Sequence, residues 1–203
     1  MLAGCQVEQI SHEAPQPQPG IHAYFSFDTS QSCRPQLGNF AQAAARIDAR
    51  LDPDHDRLTL YRVDTQTLEF SDKAAPESAE TLQELLTSQL KACPAENGTF
   101  PEKFWTEVAR RAGEARQGVI IAYFSDGDND NFSPASTDTL RTAARQLADN
   151  PHVLAVAIYG ASPENWKYLR DCFGCLGDRF LIYSPQEIDI EPLMAIIEKG
   201  RHK

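Results

Sequence analysis

The sequence predicts an α/β fold in which helices cover both faces of a mostly parallel central sheet. Apolar stretches typical of strands alternate along the chain with segments whose apolar residues recur at helical spacing. Two stretches, residues 118–125 and 153–160, are almost continuously apolar, as strands buried on both faces of a sheet are. We therefore expect a doubly wound domain over residues 21–203, with one antiparallel edge strand.

The first half of this domain contains a predicted strand, helix and hairpin. The apolar run at 21–27 predicts the first strand. A helix over about 35–51 is indicated by one apolar face, formed by Leu37, Phe40, Ala44, Ile47 and Leu51. The second strand, 57–63, is separated from the next alternating stretch, 67–72, only by the turn 64–66. That turn is too short for a crossover, so these two strands are predicted to pair antiparallel at the sheet edge.

The second half alternates regularly between helices and strands. One helix is indicated by apolar residues at helical spacing, namely Leu82, Leu85, Leu86 and Leu90. A second helix is predicted at about 101–116, before the central strand 118–125. Ser133-Pro134 begins the next helix and Asn150-Pro151 ends it, and the second central strand follows at 153–160.

The last helix–strand–helix unit is predicted from its capping residues. Ser162-Pro163 is typical of a helix start, and residues 179–184 predict the final strand. The segment Ser184-Pro185-Gln186-Glu187 has the spacing of a capping box before the last helix, although Pro192 leaves the first residue of that helix open. Gly200 is expected to end it.

Composition narrows the classes of partner. With 203 residues, of which 41% are hydrophobic, one domain with a tail is expected. Acidic residues outnumber basic ones by 29 to 19, giving a net charge of -10, and no basic cluster offers a nucleic-acid surface. No apolar run approaches the roughly 20 residues that span a bilayer.

The first 20 residues are assigned to a separate tail. Leu2, Ala3 and Gly4 before Cys5 resemble a bacterial lipobox, and the following proline-rich segment reads as an extended spacer. This resemblance implies a lipid on Cys5 and an extracytoplasmic lipoprotein, with Met1 lying just inside a longer signal segment. Membrane contact would occur only through that anchor. The alternative is a cytosolic protein with a disordered tail.

The other four cysteines form an even set: Cys33, Cys93, Cys172 and Cys175. A zinc site is not favoured, because no second cysteine pair has suitable spacing and the five histidines are scattered. The pair Cys172 and Cys175 is interpreted as a local disulfide or as two thiols.

Oxygen-bearing side chains follow two strands of the predicted sheet. Asp28, Ser30 and Ser32 alternate after the first strand, and Asp126 follows the strand at 118–125. Because carboxyl ends of parallel strands meet at one edge, Asp28 and Asp126 should approach each other. Neither loop contains Lys or Arg, so a bound cation is expected to neutralise the two acids. Oxygen donors favour a hard ion, Mg²⁺ first, with Mn²⁺ or Ca²⁺ as alternatives.

The D-x-S-x-S segment, a later loop threonine and S-D-G after a central strand resemble a von Willebrand factor A-type domain. The resemblance implies an intact metal-ion-dependent adhesion site formed by Asp28, Ser30, Ser32, Thr99 and Asp126. It also implies that a partner protein offers an Asp or Glu to the bound cation. Cys33 and Cys93 would both lie near that face, and a disulfide between them is considered. We interpret Asp128 and Asp130 as solvated loop acids, with a role in tuning or adding a cation site as the alternative.

Three classes of function follow from this reading. The first is a metal-dependent protein-binding module without enzymatic activity, tethered outside the cytoplasm. The second is an intracellular subunit of a chelatase- or other ATPase-associated complex, as the resemblance also allows. The third, a Mg²⁺-dependent phosphohydrolase, is less favoured, because the first loop lacks the second acid of a D-x-D signature and neither loop supplies a basic phosphate clamp.

Overall fold

The computed structural model describes residues 20–74, 79–92, 98–131 and 133–201. In these ranges the strands are β1 (Ile21–Asp28), β2 (Arg57–Val63), β3 (Thr67–Ala74), β4 (Gly118–Phe124), β5 (Val153–Tyr159) and β6 (Phe180–Tyr183). The α-helices are α1 (Leu37–Asp48), α2 (Ala79–Ala92), α3 (Glu102–Glu114), α4 (Pro134–Asp149), α5 (Trp166–Phe173) and α6 (Glu191–Arg201). None of the described helices is long and apolar enough to cross a membrane.

The strands form one sheet in the order β3-β2-β1-β4-β5-β6. The β2–β3 pair is antiparallel and every other neighbouring pair is parallel, which confirms the predicted fold class and its edge hairpin. From the adjacent strands β1 and β4 the chain proceeds towards opposite edges of the sheet. The loops after these two strands therefore meet at a topological switch point, where ligand sites of α/β sheets form.

Helices cover both faces of the sheet, and each face has its own apolar core. Helices α1, α2 and α6 pack over a cluster that includes Phe25, Phe27, Phe40 and Phe124. On the other face, α3, α4 and α5 cover a second cluster, which includes Trp105. Strands β1 and β4 contribute residues to both clusters, so the loops that follow them start from the most buried part of the molecule.

At the end of the sheet opposite the switch point, a buried carboxylate connects the beginning and the end of the domain. Asp56 accepts hydrogen bonds from the amides of Ile21 and Asp52, both at 2.7 Å, and pairs with Arg201 of α6. The amino end of β1 and the carboxyl end of α6 are thereby fixed to the loop before β2.

Several predicted helix boundaries differ in the structure. A short 3-10 turn over 34–36 precedes α1, and another over 163–165 precedes α5, so both helices begin later than predicted. The capping box at 184–187 is wrong: Glu187 N–H donates to the Ser184 carbonyl in a turn. Helix α6 begins only at Glu191, whose amide donates to Asp189 Oδ1 at 3.0 Å. A helix starting at 185 would place Pro192 in its interior, where proline removes a hydrogen bond and clashes.

Candidate metal centre

Asp28 is the central carboxylate of the site at the switch point. It lies at the end of β1, is fully buried, and accepts hydrogen bonds from three segments of the chain. Ser30 N–H donates to Oδ1 at 2.9 Å and Ser125 Oγ donates to Oδ2 at 2.7 Å. Thr99 Oγ1 contacts both oxygens, at 3.2 and 3.1 Å. The predicted meeting of the first loop with the Thr99 loop is therefore present in the structure.

The predicted hydroxyl ligands lie in a row that leads towards solvent. Ser30 Oγ is 3.2 Å from Ser32 Oγ. Ser30 and Thr99 are 3% and 1% exposed, whereas Ser32 is exposed. The site is thus open on the Ser32 side and closed by the sheet on the Asp28 side.

Asp126 approaches Asp28 as predicted, and a third side chain joins them. One carboxylate oxygen from each acid and the sulfur of Cys33 all lie within 4.8 Å of one another, and all three residues are buried. The Asp126 amide donates to Cys33 Sγ at 3.2 Å, and Asp126 Oδ1 accepts from the Asp128 amide at 3.0 Å. Gly127, at φ 79°, lets the chain turn directly after Asp126.

The electrostatics of this cluster favour a cation. Burial, together with the nearby charge of Asp126, raises the pKa of Asp28 to about 6 against the hydrogen bonds from Ser30 and Ser125, which lower it. Among the described residues, the buried acids Asp56 and Asp64 are paired with arginine, whereas Asp28 and Asp126 have no cationic partner. Burial and the two carboxylates also raise the pKa of the Cys33 thiol, which is therefore protonated.

The residues present fit a hard divalent cation. Two carboxylates and three hydroxyls converge, and oxygen donors of these types are those that Mg²⁺, Mn²⁺ and Ca²⁺ accept. Asp28, Ser30, Ser32, Thr99 and Asp126 would hold the ion. Its charge would remove the repulsion between the two buried acids.

Two residues that support this set were missed by the sequence analysis. Asp130, interpreted above as a solvated acid, accepts the Thr99 amide at 2.6 Å, and its own amide donates to the Thr99 carbonyl at 3.1 Å. Ser125 was treated only as part of a motif, but its hydroxyl holds Asp28 and accepts from the Gly127 amide at 3.0 Å. The acid at every second position of 126–130 was the one available signal for Asp130.

A second buried acid connects the metal loops to the edge hairpin. Asp64 follows β2 and accepts from Thr29 Oγ1 at 2.9 Å, and its carbonyl accepts from the Phe100 amide at 2.9 Å. Arg62 Nε pairs with the same carboxylate at 3.0 Å. The first loop and the Thr99 loop are therefore held in place by the hairpin as well as by each other.

The three cysteines within the described residues are free thiols. Cys33 is a buried free thiol whose sulfur accepts a hydrogen bond from the Asp126 amide. Cys93 itself lies outside the described residues, as does Cys5. Cys172 and Cys175 are both free, the first buried and the second exposed, so they stand as two thiols.

The raised pKa of Asp28 predicts how cation affinity depends on pH. A proton on Asp28 competes with the cation, and with a pKa of about 6 the carboxyl is mostly ionised at pH 7 and mostly protonated at pH 5. Apparent affinity for Mg²⁺ should fall by about tenfold between these pH values. Calorimetric titration of chelator-stripped protein at both values measures it. Equal affinity at pH 7 and pH 5 would contradict the assignment of Asp28 as a ligand.

Comparisons with known proteins agree on the fold. No family model and no curated protein sequence matches the chain. Among solved structures, manganese-loaded TRAP protein from Plasmodium vivax is similar with a TM-score of 0.65 and 16% identity, over 91% of this chain and 74% of that one. A von Willebrand factor type A protein from Catenulispora acidiphila gives 0.59 and 14%, over 91% and 42% of the two chains.

A third similar structure is proximal thread matrix protein 1 from the mussel byssus, with a TM-score of 0.59 and 17% identity. The similarity extends over 91% of this chain and 46% of that protein. This chain therefore spans less than half the length of this relative and of the Catenulispora protein. At these identities the likeness concerns the fold. With the observed strand order and antiparallel edge hairpin, it shows that this chain has the von Willebrand factor A-type fold.

Proposed function

We propose that this chain is a metal-dependent protein-binding module that docks an acidic side chain of its partner onto a divalent cation, most readily Mg²⁺. One observation carries the proposal: the Ser30 amide and the hydroxyls of Thr99 and Ser125, from three separate segments, converge on Asp28. Beside it lies a second buried acid, Asp126, that has no cationic partner among the described residues. A buried pair of acids of this kind needs a positive charge between them.

The arrangement of the ligands explains why a partner carboxylate would be attracted. Three of the five candidate ligands are neutral hydroxyls, and five protein ligands leave the sixth position of an octahedral Mg²⁺ ion open to a further oxygen ligand. The exposed Ser32 lies on the open side. When bound, the ion supplies a positive charge to an incoming Asp or Glu. Asp28 and Asp126 keep it in place from below through their own amide and hydroxyl partners.

A peptide experiment with Mn²⁺ tests the docking step. Water-proton relaxation by Mn²⁺-loaded protein should fall when a capped peptide with one Glu displaces water from the ion. The matched peptide with Gln instead of Glu should leave relaxation unchanged, because it offers no carboxylate. Lack of Mn²⁺ binding by the folded chain, or the same response to both peptides, would overturn the proposal.

The proposal gives the site no catalytic role. The position two residues after Asp28 is Ser30, where an aspartate-nucleophile phosphatase would have its second acid, and neither 27–32 nor 124–130 contains Lys or Arg. We further propose a lipid on Cys5 as the tether outside the cytoplasm. An intracellular ATPase-associated subunit is the alternative, and the mass of the mature protein, with or without a lipid on Cys5, distinguishes the two.

A further inference from the structure

Cys33 adds a sulfur atom to a site otherwise built from oxygen. Its side chain is fully buried directly after the hydroxyl row, and its sulfur lies within 4.8 Å of carboxylate oxygens of both Asp28 and Asp126. A thiol adds nothing to the binding of Mg²⁺, which takes oxygen ligands. Sulfur and carboxylate oxygen together are a ligand set that zinc accepts.

The neighbouring groups already have the arrangement that a bound thiolate needs. The Asp126 amide donates to Cys33 Sγ at 3.2 Å, and hydrogen bonds to sulfur stabilise metal-bound thiolates. Both carboxylates are held as well, Asp28 by Ser125 and the Ser30 amide, and Asp126 by the Asp128 amide. All three potential ligands therefore have outer partners that orient them.

We infer that the same site also binds a thiophilic divalent cation of the Zn²⁺ or Cd²⁺ class, with Asp28, Asp126 and Cys33 as protein ligands. Usual zinc–sulfur and zinc–oxygen bonds in tetrahedral geometry hold the ligand atoms about 3.5 Å apart. The three ligand atoms already lie within 4.8 Å of one another, so the shifts that this geometry requires are on the order of 1 Å. Binding releases the thiol proton to solvent and requires no oxidant or reductant.

The two kinds of ion would exclude each other. Both use Asp28 and Asp126, but hard ions take the hydroxyls of Ser30, Ser32 and Thr99, whereas the thiophilic ion is drawn to Cys33 on the buried side. A thiophilic ion would therefore block partner docking, a consequence that rests on the proposed function. The zinc site itself does not, because its binding is measured without a partner.

Cobalt titration of the full chain tests this site, since Co²⁺ reports a thiolate ligand by a near-ultraviolet charge-transfer band. The folded protein should develop the band on Co²⁺ addition and lose it when Zn²⁺ displaces the cobalt. Cys33→Ser should lack this band. Its affinity for Zn²⁺ should fall by more than about 100-fold, because loss of an outer-shell partner alone costs about 10–100-fold. Cys172→Ser, which also removes a buried thiol, is the matched control and should keep the band.

Two further measurements show whether a negative result means that this inference is wrong. They distinguish that outcome from misfolding of the variant and from failure of the proposed function. Cys33→Ser should retain Mg²⁺ and Mn²⁺ binding, which shows that the site is intact. Asp126→Asn should lose the cobalt band although this variant keeps the Cys33 thiol. A thiolate band that persists in Cys33→Ser, or Zn²⁺ affinity that is equal in Cys33→Ser and wild type, would overturn the inference even if Mg²⁺ and Glu-peptide binding are observed.

Discussion

Asp28→Asn is expected to abolish saturable Mg²⁺ and Mn²⁺ binding and at the same time to stabilise the metal-free protein at neutral pH. The carboxylate lies at the centre of the candidate ligand set and is fully buried, so its removal leaves the cation without its main charged ligand. We expect a loss of affinity of more than about 100-fold, since outer-shell changes alone cost 10–100-fold. Calorimetric titration measures this loss.

The gain in stability follows from the pKa of Asp28. Its value of about 6 in the folded protein is above its ordinary value of 3.8, so the ionised carboxylate opposes folding above pH 6. At about 1.4 kcal/mol per pKa unit, the cost at neutral pH is up to about 3 kcal/mol. Asparagine removes the charge but leaves its amide nitrogen with poorer partners, so we expect a gain of about 1–3 kcal/mol in the free energy of unfolding.

The pH dependence and a matched variant make this prediction specific. As pH falls from above 6 to below 4, Asp28 of the wild type becomes protonated first in the folded state, and the advantage of Asp28→Asn should disappear. Asp138→Asn, a change of an exposed acid on α4, should alter neither cation binding nor this pH dependence. Denaturant unfolding in the presence of chelator measures stability. Wild-type cation affinity in Asp28→Asn, or lower stability at neutral pH, would contradict the assignment.

Phe124→Ala is expected to produce the largest loss of stability. Phe124 ends the central strand β4 and is fully buried. Its ring stacks on Phe27 at 4.9 Å and on Tyr159 at 5.3 Å, and Phe40 of α1 lies 5.8 Å away. Truncation removes this contact area and leaves a cavity where three elements meet, which costs about 3–5 kcal/mol. Thermal and denaturant unfolding measure the change.

The exposed residue Leu68 provides the comparison for this core substitution. Its side chain is 42% exposed on the edge strand β3, so Leu68→Ala should change stability by no more than about 0.5 kcal/mol. Because Asp126 follows Phe124 by two residues, the cavity should also loosen the strand end that presents this acid. A change below about 1 kcal/mol for Phe124→Ala would show that the ring cluster does not hold the end of β4.

The candidate ligands are held in position both by the strands of the sheet and by hydrogen bonds between the loops. Strands β1 and β4 place Asp28 and Asp126 close to each other, and hydrogen bonds with Asp130 and Asp64 hold the Thr99 loop beside them. Such double fixation leaves the ligand set in place before any ion binds. Preorganisation of this kind reduces the ordering cost of binding.

The sequence by itself determined the element order and the edge hairpin, because these depend on local spacing, whereas the set of five candidate ligands came from the resemblance to von Willebrand factor A-type domains. Apolar period, turn length and the alternation of Asp28, Ser30 and Ser32 are all read over a few residues. Local signals were also its weakness: the capping box at 184–187 has the right residues, yet Pro192 and Asp189 decide where α6 begins.

Only the tertiary structure decided which other groups reach the site. Ser125 donating to Asp28, Asp130 holding Thr99 and Cys33 accepting the Asp126 amide join residues 97, 31 and 93 positions apart. Neither periodicity nor a short motif encodes contacts over such separations. The contacts of Ser125 and Cys33 arise because the parallel pairing of β1 with β4 brings the loops after both strands to one edge, where burial strengthens the hydrogen bonds. The contact of Asp130 arises where the Thr99 loop, which precedes α3, lies beside the loop after β4.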